Sequence, residues 1–207
     1  MNIKKNLGKK ILVFLFFALV IVVAFKLDWQ GVMLASVLRF PYLDSFMMWI
    51  TFAGSTVFIL FFLTSLFLWH ERKRKWIIPL WGSLLLSFIA VSLLKFFIPR
   101  ERPYELGVDT MDFLKISNPF NSSFPSLHAA SAFSALPVLD KEFRYFKFVW
   151  IFFAVLVAIS RVYFALHYPS DVIIGALIGY SSGNLSIRLT EKNKKLLFFA
   201  NKWLKRR

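Results

Sequence analysis

The stretch WIIPLWGSLLLSFIAVSLLKFFIPRERP, Trp76–Pro103, decides how this chain is read. From Trp76 to Leu94 it carries no ionisable side chain; then Lys95, Arg100, Glu101 and Arg102 follow in quick succession. An α-helix rises about 1.5 Å per residue, so Lys95 lies roughly 28 Å from Trp76, close to the thickness of a bilayer's hydrocarbon core. An apolar span that ends in a knot of charge is a bilayer crossing with a functional edge, because charge at such a depth is costly to keep.

Working outward, the same pattern recurs. The chain is 58% hydrophobic over 207 residues, far too apolar for an ordinary soluble fold of one-domain length. Apolar runs of about 20 residues fall at 9–27, 46–69, 76–98, 126–146, 147–165 and 170–189. Pro137 and Asp140 interrupt the fourth. The first follows Lys4, Lys5, Lys9 and Lys10 as a signal peptide would. Phe25, Lys26 and Leu27 stand where small cleavage-site residues belong, so a retained helix is expected. The expected fold is all-α: one six-transmembrane-helix bundle over residues 1–207, with a long extracytoplasmic loop between the third and fourth helices.

Charge orients this bundle. The net charge of +15 is carried by residues 1–10, 71–75, 140–147 and 188–207, while 26–44, 95–115 and 161–171 each balance to zero. By the positive-inside rule both termini and the two basic loops face the cytoplasm. Nucleic-acid binding is a poor reading of this basicity, because the charges flank spans instead of forming one face. The basic tail, 191–207, interleaves Leu196, Leu197, Phe198, Phe199 and Trp203 with its cations, as a helix on anionic lipid would. No cysteine is present, so neither a disulfide framework nor a thiol nucleophile is available. Without organellar targeting features, a bacterial plasma (inner) membrane is the simplest address.

Three polar stretches then fall together on the outer side: Lys95–Pro103, Pro125–His128 and Ser160–Asp171. Lys95, Arg102 and Arg161 would repel one another unless an anion joins them; Arg offers a planar fork to phosphate oxygens and Lys a compact charge. Each alone also reads as a cation snorkelling to the headgroups. Pro125 and Ser126 open a helix, with Ser126 as N-cap and backbone N–H groups free for an anion. His128 in its first turn is placed to give a proton to a leaving oxygen. Asp171, in the first turn after Pro169, reaches back to His167 and would fix its tautomer, or would simply stabilise the helix N-terminus. Glu101, Glu105, Asp109 and Asp112 share the outer loop without a histidine at ligand spacing, so no metal site is expected. A surface-lying segment is expected near Met111–Ile116. Gly175-x-x-x-Gly179 reads as close helix packing.

Taken together, these residues resemble the type 2 phosphatidic acid phosphatase family, related to the vanadium haloperoxidases. Its signature is K-x6-RP, then PSGH, then SR-x5-H-x3-D. Lys95 with Arg102-Pro103 matches the first, and Ser160-Arg161, His167 and Asp171 match the third. The second reads PSLH, with Leu127 where the family has Gly. The motifs spread over a core of residues 76–190. The resemblance implies a metal-independent lipid phosphatase without cofactor. In it His167 attacks phosphorus, Asp171 orients it, and His128 protonates the leaving group. Lys95, Arg102, Ser126, Leu127 and Arg161 would line the phosphate pocket. Implied substrates are undecaprenyl diphosphate, phosphatidylglycerophosphate, lipid A phosphate or phosphatidic acid. A phosphotransferase using the same histidine, or a non-catalytic lipid-phosphate binder, stays open. An ordinary N1 position would accept Leu127 at little cost; a positive φ would not.

Overall fold

The structure, a computed structural model, describes residues 2–115 and 122–193; the basic tail from 194 onward lies outside them. The described residues are helical and contain no strand. The helices are α1 (Asn2–Lys26), α2 (Asp28–Val37), α3 (Pro41–Ala53), α4 (Thr56–Trp69), α5 (Ile77–Phe97), α6 (Leu127–Ser134), α7 (Leu136–Glu142), α8 (Phe146–Tyr163) and α9 (Pro169–Lys192).

Three segments are long and apolar enough to cross a membrane: Glu71–Phe97, Phe146–Tyr163 and Pro169–Lys192. They correspond to the third, fifth and sixth apolar runs. Of the other three, the first lies in α1 and ends at a bend, while the second and fourth are broken. The second part of α1 meets α2 at 61°, and α3 meets α4 at 67°. The second break sits at Gly54–Ser55, where Gly54 faces Val157 so closely that a Cβ would stand 2.5 Å from Cγ1. Ser55 then caps α4 by accepting the Phe58 N–H at 3.3 Å. The fourth run is built as the short pair α6 and α7, with Pro137 in the first turn of α7. The amphipathic segment expected near Met111 appears as a 3-10 turn, Asp112–Leu114; Ile116 lies outside the described residues.

Bilayer-facing proteins turn apolar side chains outward as well as inward, and this one does both. Phe52, Phe61, Phe88, Phe97 and Phe152 are exposed. The interior joins Ile59, Leu63 and Phe67 of α4 to Leu80 and Leu84 of α5, Leu139 of α7, and Trp150 and Val157 of α8. The Trp150 indole N–H donates to the Ala132 carbonyl at 2.8 Å, satisfying a polar atom in that core.

The packing that positions the site is α6 against α9. On α9 the small-residue pattern continues past the pair read from sequence: Gly175, Gly179 and Gly183 face the backbone of α6. A Cβ at these positions would meet the carbonyl oxygens of Ser126, Ala130 and Ser134 at 2.4, 2.0 and 2.4 Å. Backbone therefore touches backbone, as in membrane helix pairs built on small residues. Gly179→Ala is expected to destabilise the protein by about 1–3 kcal/mol through overpacking. Thermal unfolding in detergent would show it as a lower midpoint; an unchanged midpoint would contradict the close approach.

Candidate active site

Each polar stretch is held by a distinct piece of backbone. Pro125 follows a cis peptide bond from Phe124. Ser126, fully buried, is the N-cap of α6, and its Oγ accepts from the Ala129 N–H at 3.5 Å. Leu127 is thus an ordinary N1 residue; among non-glycine residues described, only Ala165 has a positive φ. His128 sits in the first turn. The Ser126 N–H donates to the Asp171 carbonyl at 3.0 Å, so the starts of α6 and α9 are bonded to each other.

The turn between α8 and α9 presents His167. Arg161, near the end of α8, accepts the Leu166 and His167 N–H groups on its carbonyl at 3.1 and 3.2 Å. Ala165 takes φ 51°, which reverses the chain. Tyr168 then caps α9, and Asp171 Oδ2 accepts the Tyr168 N–H at 2.9 Å.

The outer loop is stapled at both ends. Ser123 N–H donates to the Arg100 carbonyl at 2.8 Å, and Ser122 Oγ donates to the Ile98 carbonyl at 2.8 Å. Lys95 Nζ donates to the Ser122 carbonyl. Arg102 lies over the turn, with Nη1 donating to the Leu166 carbonyl at 3.0 Å.

These elements bring the selected residues to one place. Arg102, Arg161, His167 and Asp171 are buried, and Lys95 and His128 partly so. Lys95, Arg102 and Arg161 all act electrostatically on both His167 and His128. Burial first, then Arg102, Arg161 and Lys95, hold the His167 imidazole well below its usual pKa, which keeps the ring neutral at neutral pH. Among the described residues, the buried Nε of Arg161 has no hydrogen-bond partner. A buried donor without a partner, beside two more cations, suits an incoming anion. No three His, Asp or Glu side chains gather as a metal site among the described residues.

Asp171 reaches back to His167 as expected of its position, its Oδ2 3.6 Å from Nδ1, an ion-pair distance, but it does not take the Nδ1 hydrogen bond. The Ser123 carbonyl takes that place at 2.6 Å. The reason is that the carboxylate is already engaged, by the Tyr168 N–H and by Arg100 Nη1 at 2.7 Å. Nδ1–H donated to a carbonyl leaves Nε2 with its lone pair free. Sequence reasoning missed Ser123, whose role lies in its backbone oxygen, and Arg100, which read as one more loop charge.

The comparisons place the chain in a family. Residues 76–195 match the model of the PAP2 superfamily, and the chain belongs to that family. It is 32% identical over 127 residues to an undecaprenyl-diphosphatase of Sulfolobus acidocaldarius, a match spanning 61% of each chain. Two crystal structures are similar. LpxE of Aquifex aeolicus has TM-score 0.65 and 29% identity, over 78% of this chain and 95% of that one. A transmembrane PAP2-type phosphatidylglycerolphosphate phosphatase of Bacillus subtilis has TM-score 0.69 and 25% identity, over 88% and 96%. The apolar helices and these relatives make the chain a multi-pass membrane protein.

An anion site of this build should be detectable without turnover. Inorganic phosphate at 100 times its dissociation constant should stabilise the fold by about 2.7 kcal/mol, read as a raised thermal midpoint. Arg161→Gln should lose most of that rise. A rise that survives the substitution would place anion binding elsewhere.

Proposed function

We propose that this protein is a membrane lipid phosphatase that removes a terminal phosphate through a phosphohistidine at His167. The observation that carries the reading is the His167 ring itself. It is buried and held neutral, Nδ1 is tethered by the Ser123 carbonyl so that the lone pair lies on Nε2, and Lys95, Arg102 and Arg161 all act electrostatically on the ring.

The steps follow from that placement. Nε2 attacks phosphorus while Lys95, Arg102 and Arg161 hold the phosphoryl oxygens, with the start of α6 at Ser126 and Leu127 adding backbone N–H donors. His128 gives a proton to the departing lipid oxygen. The imidazole, now phosphorylated at Nε2 and protonated at Nδ1, is cationic, and the Asp171 carboxylate 3.6 Å away offsets that charge. Water then attacks phosphorus, giving a proton to the His128 ring that was deprotonated in the first step; the N–P bond breaks, phosphate leaves and both histidines return to their starting state. The chemistry asks for no metal and no cofactor.

Substrates of the proposed class are a lipid monophosphate or diphosphate, undecaprenyl diphosphate and phosphatidylglycerophosphate first among them. The relatives' printed activities favour these two. Lipid A phosphate and phosphatidic acid are the further candidates. In the proposed topology α1, α3–α4 and α6–α7 complete six crossings with α5, α8 and α9, α2 lies in the outer segment, the termini are cytoplasmic, and the site faces outward. The zero net charge of the outer segments supports this, as does the gathering of all three motifs at one end of the bundle. The inner membrane of a bacterium is the proposed location.

Detergent-purified protein in EDTA should release phosphate from at least one of these lipids, and His167→Ala should reduce release by about 10³-fold or more. Equal release by the variant, or none by wild type, would contradict the proposal. Because burial and the neighbouring cations keep His167 neutral, its protonation should limit kcat/KM only below the ordinary imidazole value of about 6.5. An acid limb attributable to the enzyme at or above that value would contradict a neutral nucleophile.

A further inference from the structure

Asp28 stands outside both the three motifs and the stretch matched by the family model. It opens α2 immediately after the 61° bend from α1, and its side chain is 8% exposed. From there it reaches the far end of the chain. Oδ1 accepts the Ser170 N–H at 2.8 Å, and Oδ2 accepts the Ser170 hydroxyl at 2.6 Å. Oδ2 also accepts from Arg100 Nη2 at 2.7 Å.

Arg100 is the bridge. Its Nη1 donates to the Ser170 Oγ at 2.8 Å and to Asp171 Oδ1 at 2.7 Å. The guanidinium carbon lies 4.0 Å from the centre of the Tyr168 ring and 5.5 Å from that of Phe25. Both terminal nitrogens are therefore committed to carboxylates, and the plane is covered by an aromatic face. A guanidinium so engaged is not placed to serve as a fourth phosphate cation. Its geometry acts instead on the orientation of Asp171, whose other oxygen is held by the Tyr168 N–H beside the Nδ1 edge of His167.

We infer that Arg100, fixed in place by Asp28, is a positioning residue that holds the Asp171 carboxylate against the imidazole edge of His167. The inference rests on the reading of His167 as nucleophile. The chemical need is specific: the phosphorylated ring is cationic, and a carboxylate that swings away cannot offset that charge. Partners of this kind, one shell behind the reacting group, typically contribute 10- to 100-fold. The α1–α2 elbow thereby becomes part of the active site's support.

The test compares wild type with Arg100→Gln, Arg100→Lys and Asp28→Asn, with His167→Ala as the inactive reference. Folding is checked by size exclusion in detergent. The substrate is whichever of phosphatidic acid, phosphatidylglycerophosphate and undecaprenyl diphosphate wild type hydrolyses fastest. Readouts are kcat, KM and the inhibition constant of inorganic phosphate. Arg100→Gln should lower kcat about 10- to 100-fold, while KM and the phosphate constant stay within about threefold. Arg100→Lys should recover part of the loss. Asp28→Asn, which keeps size and an acceptor oxygen, should show a smaller fall of the same kind. If Arg100→Gln does not fold, the other two variants carry the test by the same split. Unchanged kcat would overturn the inference, as would a phosphate constant that rises in step with the fall in kcat, which would make Arg100 a phosphate ligand. Turnover that survives His167→Ala, or no turnover in wild type, contradicts the proposed function itself. Turnover that depends on His167 but not on Arg100 contradicts this inference alone.

Discussion

The contact on which the rest depends is the backbone approach of α6 to α9. Two helices can lie this close only where one of them lacks side chains, and three glycines four residues apart provide that face. The approach brings the N-terminal ends of both helices together, sealed by the bond from the Ser126 N–H to the Asp171 carbonyl. His128 projects from one of those ends, and His167 immediately precedes the other. Two histidines far apart in sequence come to share a site because the glycine face lets the helices carrying them touch.

Electrostatics supplies the second constraint. Lys95, Arg102 and Arg161 repel one another across a low-dielectric interior, and such a cluster persists only when neighbouring groups hold it. Carbonyl oxygens do much of the holding: Ser122 takes Lys95, and Leu166 takes Arg102. Arg161 is the member left with an unpartnered buried donor among the described residues. The carboxylates, by contrast, are gathered one layer back, where Asp28 and Asp171 share Arg100. The Asp171 carboxylate thereby stays near the ring that would become cationic. That separation of layers is the physical logic of a phosphoryl-transfer site, in which positioning and charge stabilisation do most of the work.

Much of this was legible in the chain, for reasons that differ by residue. Lys95, Arg102, Ser126, His128, Arg161, His167 and Asp171 are recognisable because polar groups in apolar surroundings are few, and their spacing is fixed by short helical turns. Gly175 and Gly179 announced close packing by their four-residue interval. The interruption of the fourth run was legible from Pro137, but the break at Gly54 was not: the apolar run there continues without a proline, and hydropathy does not register a bend. Asp28 and Arg100 were hidden for another reason. Asp28 bonds Ser170 across 142 positions, and each charge, seen alone, merely balanced a neighbour in its loop. Ser123 acts through its backbone carbonyl, which no side-chain pattern encodes.

The central claim is that Nε2 of His167 carries the phosphoryl group, because Nδ1 is occupied by the Ser123 carbonyl. The most direct measurement is rapid quenching of the purified protein with a lipid phosphate labelled at its terminal phosphorus, followed by mapping of the phosphoenzyme by mass spectrometry and ³¹P NMR. The account predicts an acid-labile, base-stable phosphoryl group on His167, bonded at Nε2 and absent from His167→Ala. A phosphoryl group on any other residue, on Nδ1, or none during active turnover would contradict it.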